Sequence, residues 1–109
     1  LRSMLYKARQ EALLGLVNRD GCSGSFDGKT FKVSSDGTEL FIYSTCNGSL
    51  ASSADTSVSL DPGVTVEPYS SSVLFNSIRM GASNAIGFVV QYGDEDPVTI
   101  AVDVNGGIQ

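Results

Sequence analysis

The sequence predicts an α+β domain in which one N-terminal amphipathic helix packs on an antiparallel β-sheet region of six to eight short strands, in one sheet or two. Apolar residues recur at helical spacing over residues 1–17, and beyond residue 21 the spacing changes to an alternation of period two. Turn-forming pairs with Gly or Asn then divide the chain at short intervals. At 109 residues we expect a single domain, with the helix in residues 1–18 and the β-rich part in residues 22–109.

The helix is predicted over residues 1–17, with a left-handed closing residue within residues 18–21. At about 100° per residue, one face forms a docking stripe made of Leu1, Met4, Leu5, Ala8, Ala12 and Leu16. A second apolar group lies nearly opposite and consists of Tyr6, Leu13 and Val17. Two interpretations stay open: the C-terminal half of the helix is buried within the domain, or the second group packs against another subunit.

A first hairpin is predicted within residues 30–45, around an Asp36-Gly37 turn. Phe31 and Val33 face the core, and Lys29 and Lys32 are both assigned to the exposed face. Residues 46–57 are small and polar, which predicts a mobile loop.

The following segment is predicted to contain two short strands around a Pro62-Gly63 turn, the second of which ends at Pro68. A short strand is predicted at residues 73–75 and a loop at residues 76–85. The clearest hairpin joins residues 85–92 to residues 98–104, and a turn at residues 105–107 lets Ile108 begin a final pairing.

Composition and charge exclude several classes of function. The net charge is −5 and the basic residues are scattered, whereas nucleic-acid binding and attachment to anionic membranes need a basic face, so we expect no nucleic-acid partner. Without histidine there is no Ser-His-Asp or Cys-His catalysis and no His-ligated metal site. A Ser-Lys pair would need Lys29 or Lys32 in a pocket. We therefore expect neither an enzyme nor a cofactor.

The two cysteines, Cys22 and Cys46, are too far apart for a CxxC motif and too few for a structural zinc site. We favour a disulfide between the start of the β region and the end of a strand, which would indicate an oxidising compartment. Two unpaired thiols in a cytosolic protein are the alternative.

Two further motifs have a weak functional interpretation. The acidic run Asp94, Glu95 and Asp96 offers oxygen ligands for calcium, but a solvated hairpin tip that discourages edge association explains it better. Asn47-Gly48-Ser49 matches a glycosylation sequon, a triplet that also arises often by chance.

Two segments suggest a family. In the helical run LRSMLYKARQEALL, the residues Ala8, Arg9, Glu11 and Ala12 match an Ala-Arg-x-Glu-Ala helix segment, and the closing VTIAVDVNGGIQ is similar to a terminal strand-Gly-strand pattern. In both, and in outline over the whole chain, the sequence resembles the type IV pilin-like superfamily, above all the H-type minor pseudopilins of type II secretion and related minor type IV pilins. The family's peptidase cleavage site and apolar segment with its glutamate are not in this sequence.

The resemblance implies a pilin-like fold and a structural function. The missing segment would precede Leu1, whose uncapped position is expected to be the cut end of a longer helix. That helix would anchor the subunit in the bacterial inner membrane, with the domain in the periplasm or on an extracellular filament. It would also pack against other pilin or pseudopilin subunits. Such a subunit would initiate, cap or decorate a type IV pilus or a type II secretion pseudopilus.

Two hypotheses of another class remain. One is a pilus-associated binding module, either an adhesin or a DNA-receptor minor pilin, although the acidic charge disfavours DNA. The other is an unrelated secreted β-sandwich that binds a ligand such as a glycan, although the chain has no Trp to stack on a sugar.

Overall fold

The computed structural model describes residues 1–17, 22, 24–77 and 81–109. Over these ranges the chain forms one N-terminal α-helix and eight β-strands, so the α+β class is confirmed. Helix α1 spans Arg2–Leu14. The strands are β1 (Phe26–Val33), β2 (Glu39–Cys46), β3 (Ser49–Leu50), β4 (Thr56–Ser59), β5 (Val64–Glu67), β6 (Ser72–Asn76), β7 (Ile86–Tyr92) and β8 (Val98–Val102).

The strands form two antiparallel sheets. The first has the order β3-β2-β1-β6, and β4 also pairs with β2; the second has the order β5-β7-β8. The outer edge of β2 is shared, since β4 pairs with residues 39–42 and β3 with residues 45 and 46. The hydrogen-bonding groups along one long strand are thus satisfied by two short ones.

The predicted first hairpin is confirmed as β1 and β2, and Asp36 organises its turn. One carboxylate oxygen of Asp36 accepts hydrogen bonds from the backbone N–H of Thr38 (3.1 Å), from Thr38 Oγ1 (2.7 Å) and from Ser34 Oγ (2.8 Å). These bonds, that of the Thr38 hydroxyl first, lower the pKa of Asp36 from 3.8 to about 2. Gly37 follows at φ 74° and lies directly under the Tyr69 ring, where a Cβ would have no room.

The predicted second hairpin is confirmed as β7 and β8. Past β8, the backbone N–H of Gly106 donates to the carbonyl of Asp103 (3.0 Å), which closes the predicted terminal turn. Ile108 then bridges to Val102, so the predicted final pairing is also confirmed.

The prediction of a loop over residues 46–57 is wrong at its two ends, which form strands β3 and β4. Asn47 and Gly48 have φ values of 54° and 81°, the left-handed pair of a two-residue hairpin turn, and they connect β2 to β3. Further along, Ala51 donates its N–H to the Ser44 carbonyl (2.8 Å) and Asp55 to the Ile42 carbonyl (2.7 Å). The segment therefore follows the edge of β2.

Strands β4 and β5 exist as expected around Pro62-Gly63, but they do not pair with each other. Strand β4 belongs to the first sheet and β5 to the second, where it pairs with β7. The turn between them is a crossover between sheets. Pro68 follows the last residue of β5, as predicted.

The helix is shorter than the predicted residues 1–17, because it ends at Leu14. Gly15 adopts the left-handed conformation (φ 70°) and donates its N–H to the Ala12 carbonyl (3.2 Å), while Leu16 donates to the Glu11 carbonyl (3.0 Å). These two bonds form a Schellman motif, which satisfies the last carbonyls of the helix. The predicted closing residues 18–21 lie outside the described residues.

One hydrophobic core joins the helix to both sheets. The helix contributes Met4, Leu5, Ala8 and Ala12, and it packs on β1 and β6. The first sheet adds Phe31, Val33, Leu40, Ile42, Val73 and Phe75, and the second adds Val66, Phe88, Ile100 and Val102. Burying a side chain such as that of Leu5 contributes about 2 kcal/mol, so this set holds the three layers together.

Candidate functional site

The buried stripe of α1 lies largely where the sequence places it. Met4, Leu5, Ala8 and Ala12 are buried, and Leu1 packs partly buried against the core. Leu16 is the exception, because it follows the Schellman turn and is 51% exposed. The docking face of the helix therefore ends at Ala12.

Of the two interpretations, burial of the C-terminal half of the helix within the domain is wrong. Leu14 is 62% exposed, and Leu13 and Leu16 are also exposed. We call these three residues the leucine surface. Sequence analysis included Leu13 and Leu16 but missed Leu14, whose position beside Leu13 at the helix end was the available signal. Three exposed leucines within four residues form a concentrated apolar patch.

The other two members of the second apolar group have partners within the chain. The Tyr6 hydroxyl donates to the Ile108 carbonyl (3.4 Å), and Arg9 lies over the Tyr6 ring, 4.9 Å from its centroid. Arg9 also donates to the Gly106 carbonyl (3.1 Å), so this pair fastens α1 to the terminal turn. Val17 lies beyond the helix and packs beside the disulfide.

The predicted disulfide is confirmed. Cys22 and Cys46 are bonded, with their Cα atoms 5.4 Å apart, and together with Ala51 they form a second small buried cluster. Phe26 and Val17 pack partly buried against it. The bond ties the segment after the helix to the last residue of β2.

Between the two apolar clusters lies a buried group of charges that sequence analysis missed. Lys29 Nζ forms a very close ion pair with Asp55 Oδ2, and Glu11 Oε1 lies 3.7 Å from the same nitrogen. Ser44 Oγ donates to Asp55 Oδ2 (2.7 Å). The side chains of Lys29 and Asp55 are only 4% and 12% exposed, and that of Glu11 is 21% exposed. We call these four residues the charge cluster.

The assignment of Lys29 to the exposed face of β1 is wrong. Because β-strand residues alternate between faces, Lys29 shares the core face with Phe31 and Val33, two and four residues on. That parity was already visible in the sequence. Lys32 has the opposite parity and is half-buried. A buried lysine needs its charge compensated, since removing one partner of a buried ion pair costs about 3–5 kcal/mol.

The acidic residues Asp94, Glu95 and Asp96 lie exposed at the tip of the β7–β8 hairpin. The tip is closed by Gln91 Nε2, which donates to the carbonyls of Gly93 (3.1 Å) and Glu95 (2.7 Å). Within the described ranges no three acidic, cysteine or histidine side chains form a group that could hold a metal ion. The carboxylates of this tip therefore do not converge on a common point.

Comparison of the chain with models of protein families, with curated proteins and with solved structures gave no match. No helix in the part of the chain that the structure describes has the length and apolar character needed to cross a membrane.

Proposed function

We propose that this chain is a structural minor pilin or pseudopilin subunit, which assembles into a type IV pilus or a type II secretion pseudopilus through helix α1. The observation that carries the proposal is the leucine surface: α1 buries one face against the β-sheets and leaves Leu13, Leu14 and Leu16 uncovered at its C-terminal end. A helix that is apolar on two sides is suited to packing between its own domain and a neighbouring subunit.

Leaving these three leucine side chains in water costs free energy. Fully burying an exposed leucine gains about 1.5–3 kcal/mol, and these three, which are 39–62% exposed, would each gain roughly half of that, a useful part of an association free energy. The resemblance of the ARQEA segment to pilin-like subunits, which associate through this helix, supports such contacts here. In this proposal the segment that anchors the subunit in the inner membrane precedes Leu1, and the domain faces the periplasm or the filament surface.

Two features of the charge distribution favour assembly over nucleic-acid binding. The net charge is −5, and Arg9 and Lys29, two of the seven basic residues, are engaged in internal contacts. A phosphate backbone would therefore meet a net acidic chain in which two of the cations already have internal partners. The disulfide supports an oxidising compartment such as the periplasm.

The test uses the complete gene, including the codons upstream of Leu1, in the bacterium that encodes it. Leu14→Ser and Leu16→Ser each remove an exposed apolar side chain of the leucine surface. Val98→Ser is the matched control, because Val98 is 57% exposed but lies on β8, away from the helix. All three variants should retain the thermal midpoint of the parent domain.

We expect the parent and Val98→Ser proteins in the inner-membrane fraction and in sheared filaments. The two leucine variants should remain in the membrane and be reduced at least several-fold in the filaments. Assembly of the leucine variants at parental levels would contradict the role of this surface. A parent protein that is secreted free, without association with membrane or filaments, would contradict the proposed function and favour a secreted binding domain.

A further inference from the structure

The amine of Lys29 is buried and lies against the carboxyl group of Asp55. Lysine side chains usually extend to solvent, whereas that of Lys29 is 4% exposed and its Nζ contacts Asp55 Oδ2. The carboxyl carbon of Asp55 is one C–O bond from the contacted oxygen. An amine and a carboxyl group in this arrangement are the reactants of an amide.

The first sheet holds the backbones of both reacting residues in place. Lys29 lies within β1, between β2 and β6. Asp55 is fixed beside β2, since its backbone N–H donates to the Ile42 carbonyl (2.7 Å) and its carboxylate accepts from Ser44 Oγ (2.7 Å). Holding two reacting groups in contact removes most of the entropic cost of bringing them together.

Glu11 is placed to move a proton. Its Oε1 lies 3.7 Å from Lys29 Nζ, is buried, and accepts no hydrogen bond from the residues that the structure describes. A small side-chain rotation would bring this oxygen within hydrogen-bonding distance of the nitrogen, where a carboxylate can transfer protons during the reaction.

The surroundings of the cluster favour uncharged products. Along β1 and β2 the Lys29–Ser44 pair lies between the Phe31–Ile42 pair of the main core and the Phe26–Cys46 pair beside the disulfide. Burying an ion pair costs desolvation energy that Coulomb attraction repays only in part, whereas a buried amide carries no charge. An open depression lined by Gly15, Leu16 and Val17 reaches Lys29 and Asp55 from the surface, and it offers a released water molecule a way out.

We propose that Lys29 and Asp55 condense into an intramolecular isopeptide bond, with Glu11 as the proton-transfer group. The amine nitrogen of Lys29 attacks Cγ of Asp55, and the new C–N bond gives a tetrahedral intermediate. Ser44 Oγ donates to the carboxyl oxygen that gains negative charge, as donors do at an oxyanion. Glu11 relays two protons from the nitrogen to the departing oxygen, one before the attack and one from the tetrahedral intermediate, and that oxygen leaves as water. One ammonium and one carboxylate give one amide and one water, and no oxidant or other reagent is consumed.

The test is the intact mass of the folded, purified protein after prolonged incubation, measured under denaturing and reducing conditions. We expect a mass lower than that of the sequence by one water molecule. Asp-Gly pairs such as Asp27-Gly28 also lose water, by closing to a succinimide, so the loss has to be localised. Proteolysis and fragmentation should yield a branched peptide joining Lys29 to Asp55, uncleaved by trypsin after Lys29.

Four variants test which residues the bond requires. Lys29→Arg and Asp55→Ala remove a reactant and should show the full sequence mass. Glu11→Gln keeps the shape of the side chain, so it should fold but form the bond at least tenfold more slowly. Lys32→Ala changes the lysine on the other face of β1 and should still lose one water.

Three outcomes would overturn the proposal. They are the full sequence mass in the incubated parent protein, a loss of water that fragmentation assigns to a succinimide in both the parent and Lys29→Arg, and a branch at another residue. Condensation of Glu11→Gln at the parental rate would overturn the role of Glu11. The result is independent of the filament experiments, because it requires only the folded domain.

Discussion

The rings of Phe31 and Phe88 meet edge to face, with their centroids 5.2 Å apart and their planes at 78°. Phe31 lies on β1 of the first sheet and Phe88 on β7 of the second, and both are fully buried. This pair is therefore a direct link between the two sheets. Its arrangement places the edge of one ring against the face of the other, which aromatic rings prefer.

Replacing Phe88 should weaken the packing between the two sheets and so lower the stability of the domain. We expect Phe88→Ala to lower the free energy of unfolding by about 3–5 kcal/mol, because it leaves a cavity between them. Tyr92→Ala is the control, since Tyr92 is an aromatic residue of the same strand but is exposed, and its loss should be below about 1 kcal/mol. Urea unfolding measures both. Similar losses in the two variants would refute the role of the pair.

The glycine at position 28 should be irreplaceable. Gly28 follows a bulge in β1 and has φ 148°, and a Cβ built there would lie 1.9 Å from the Phe75 carbonyl oxygen of β6. We expect Gly28→Ala to cost more than about 2 kcal/mol or to prevent folding. Gly87→Ala provides the comparison, since its nearest atom is 3.7 Å away, an ordinary contact, and the change should be neutral or slightly stabilising. The reverse order of stabilities, from thermal or urea unfolding, would contradict this account.

The disulfide should contribute substantially to stability. Replacing Cys22 and Cys46 together by Ser should lower the free energy of unfolding by about 3 kcal/mol, because the unfolded chain regains the freedom that the closed loop removes. Denaturant titrations with and without a reducing agent measure this. The agent should affect the parent and leave the double Ser variant unchanged. A thiol assay on the unfolded, unreduced parent should find no free thiol, and two free thiols would exclude the bond.

The turn around Asp36 makes stability depend on pH at the acidic end. The pKa of Asp36 is lowered to about 2 in the folded protein, so the unfolded state binds a proton first as the pH falls. The stabilisation is complete above the unfolded pKa of 3.8 and disappears as the pH falls towards 2. The advantage of the parent over Asp36→Asn should therefore shrink over this interval.

Thr38→Val tests the cause of that shift, since it removes the hydroxyl that contributes most to it. In an NMR titration of the Asp36 carboxyl, this variant should titrate at a higher pH than the parent. An unchanged titration midpoint in Thr38→Val would show that another group holds the pKa down.

Local patterns predicted the two long hairpins, because alternation and turn residues lie within a few positions of each other. The helix end was missed, since Leu16 and Val17 continue the apolar spacing past Gly15, and periodicity alone gives a glycine no weight. The β2–β3 turn was also missed, although Asn47-Gly48 is a strong hairpin signal, because the surrounding small polar residues resemble a loop.

Contacts between residues far apart in the sequence could not be predicted from such local patterns. Nothing adjacent to Asp55 indicates that its partner is Lys29, 26 residues earlier. Likewise, a strand–turn–strand pattern around Pro62-Gly63 is the same whether the strands pair with each other or join different sheets. The charge cluster thus depends on tertiary packing, although the parity of Lys29 along β1 already indicated that one member faces the core.

The bond between Cys22 and Cys46 also determines how the molecule bears tension. A pull applied to the chain before residue 22 and after residue 46 passes through the sulfur atoms and bypasses residues 23–45 between them. That segment contains all of β1, the strand on which the helix docks, and nearly all of β2. Stretching would therefore not pull β1 out of the sheet directly, and the helix would keep its platform under mechanical load.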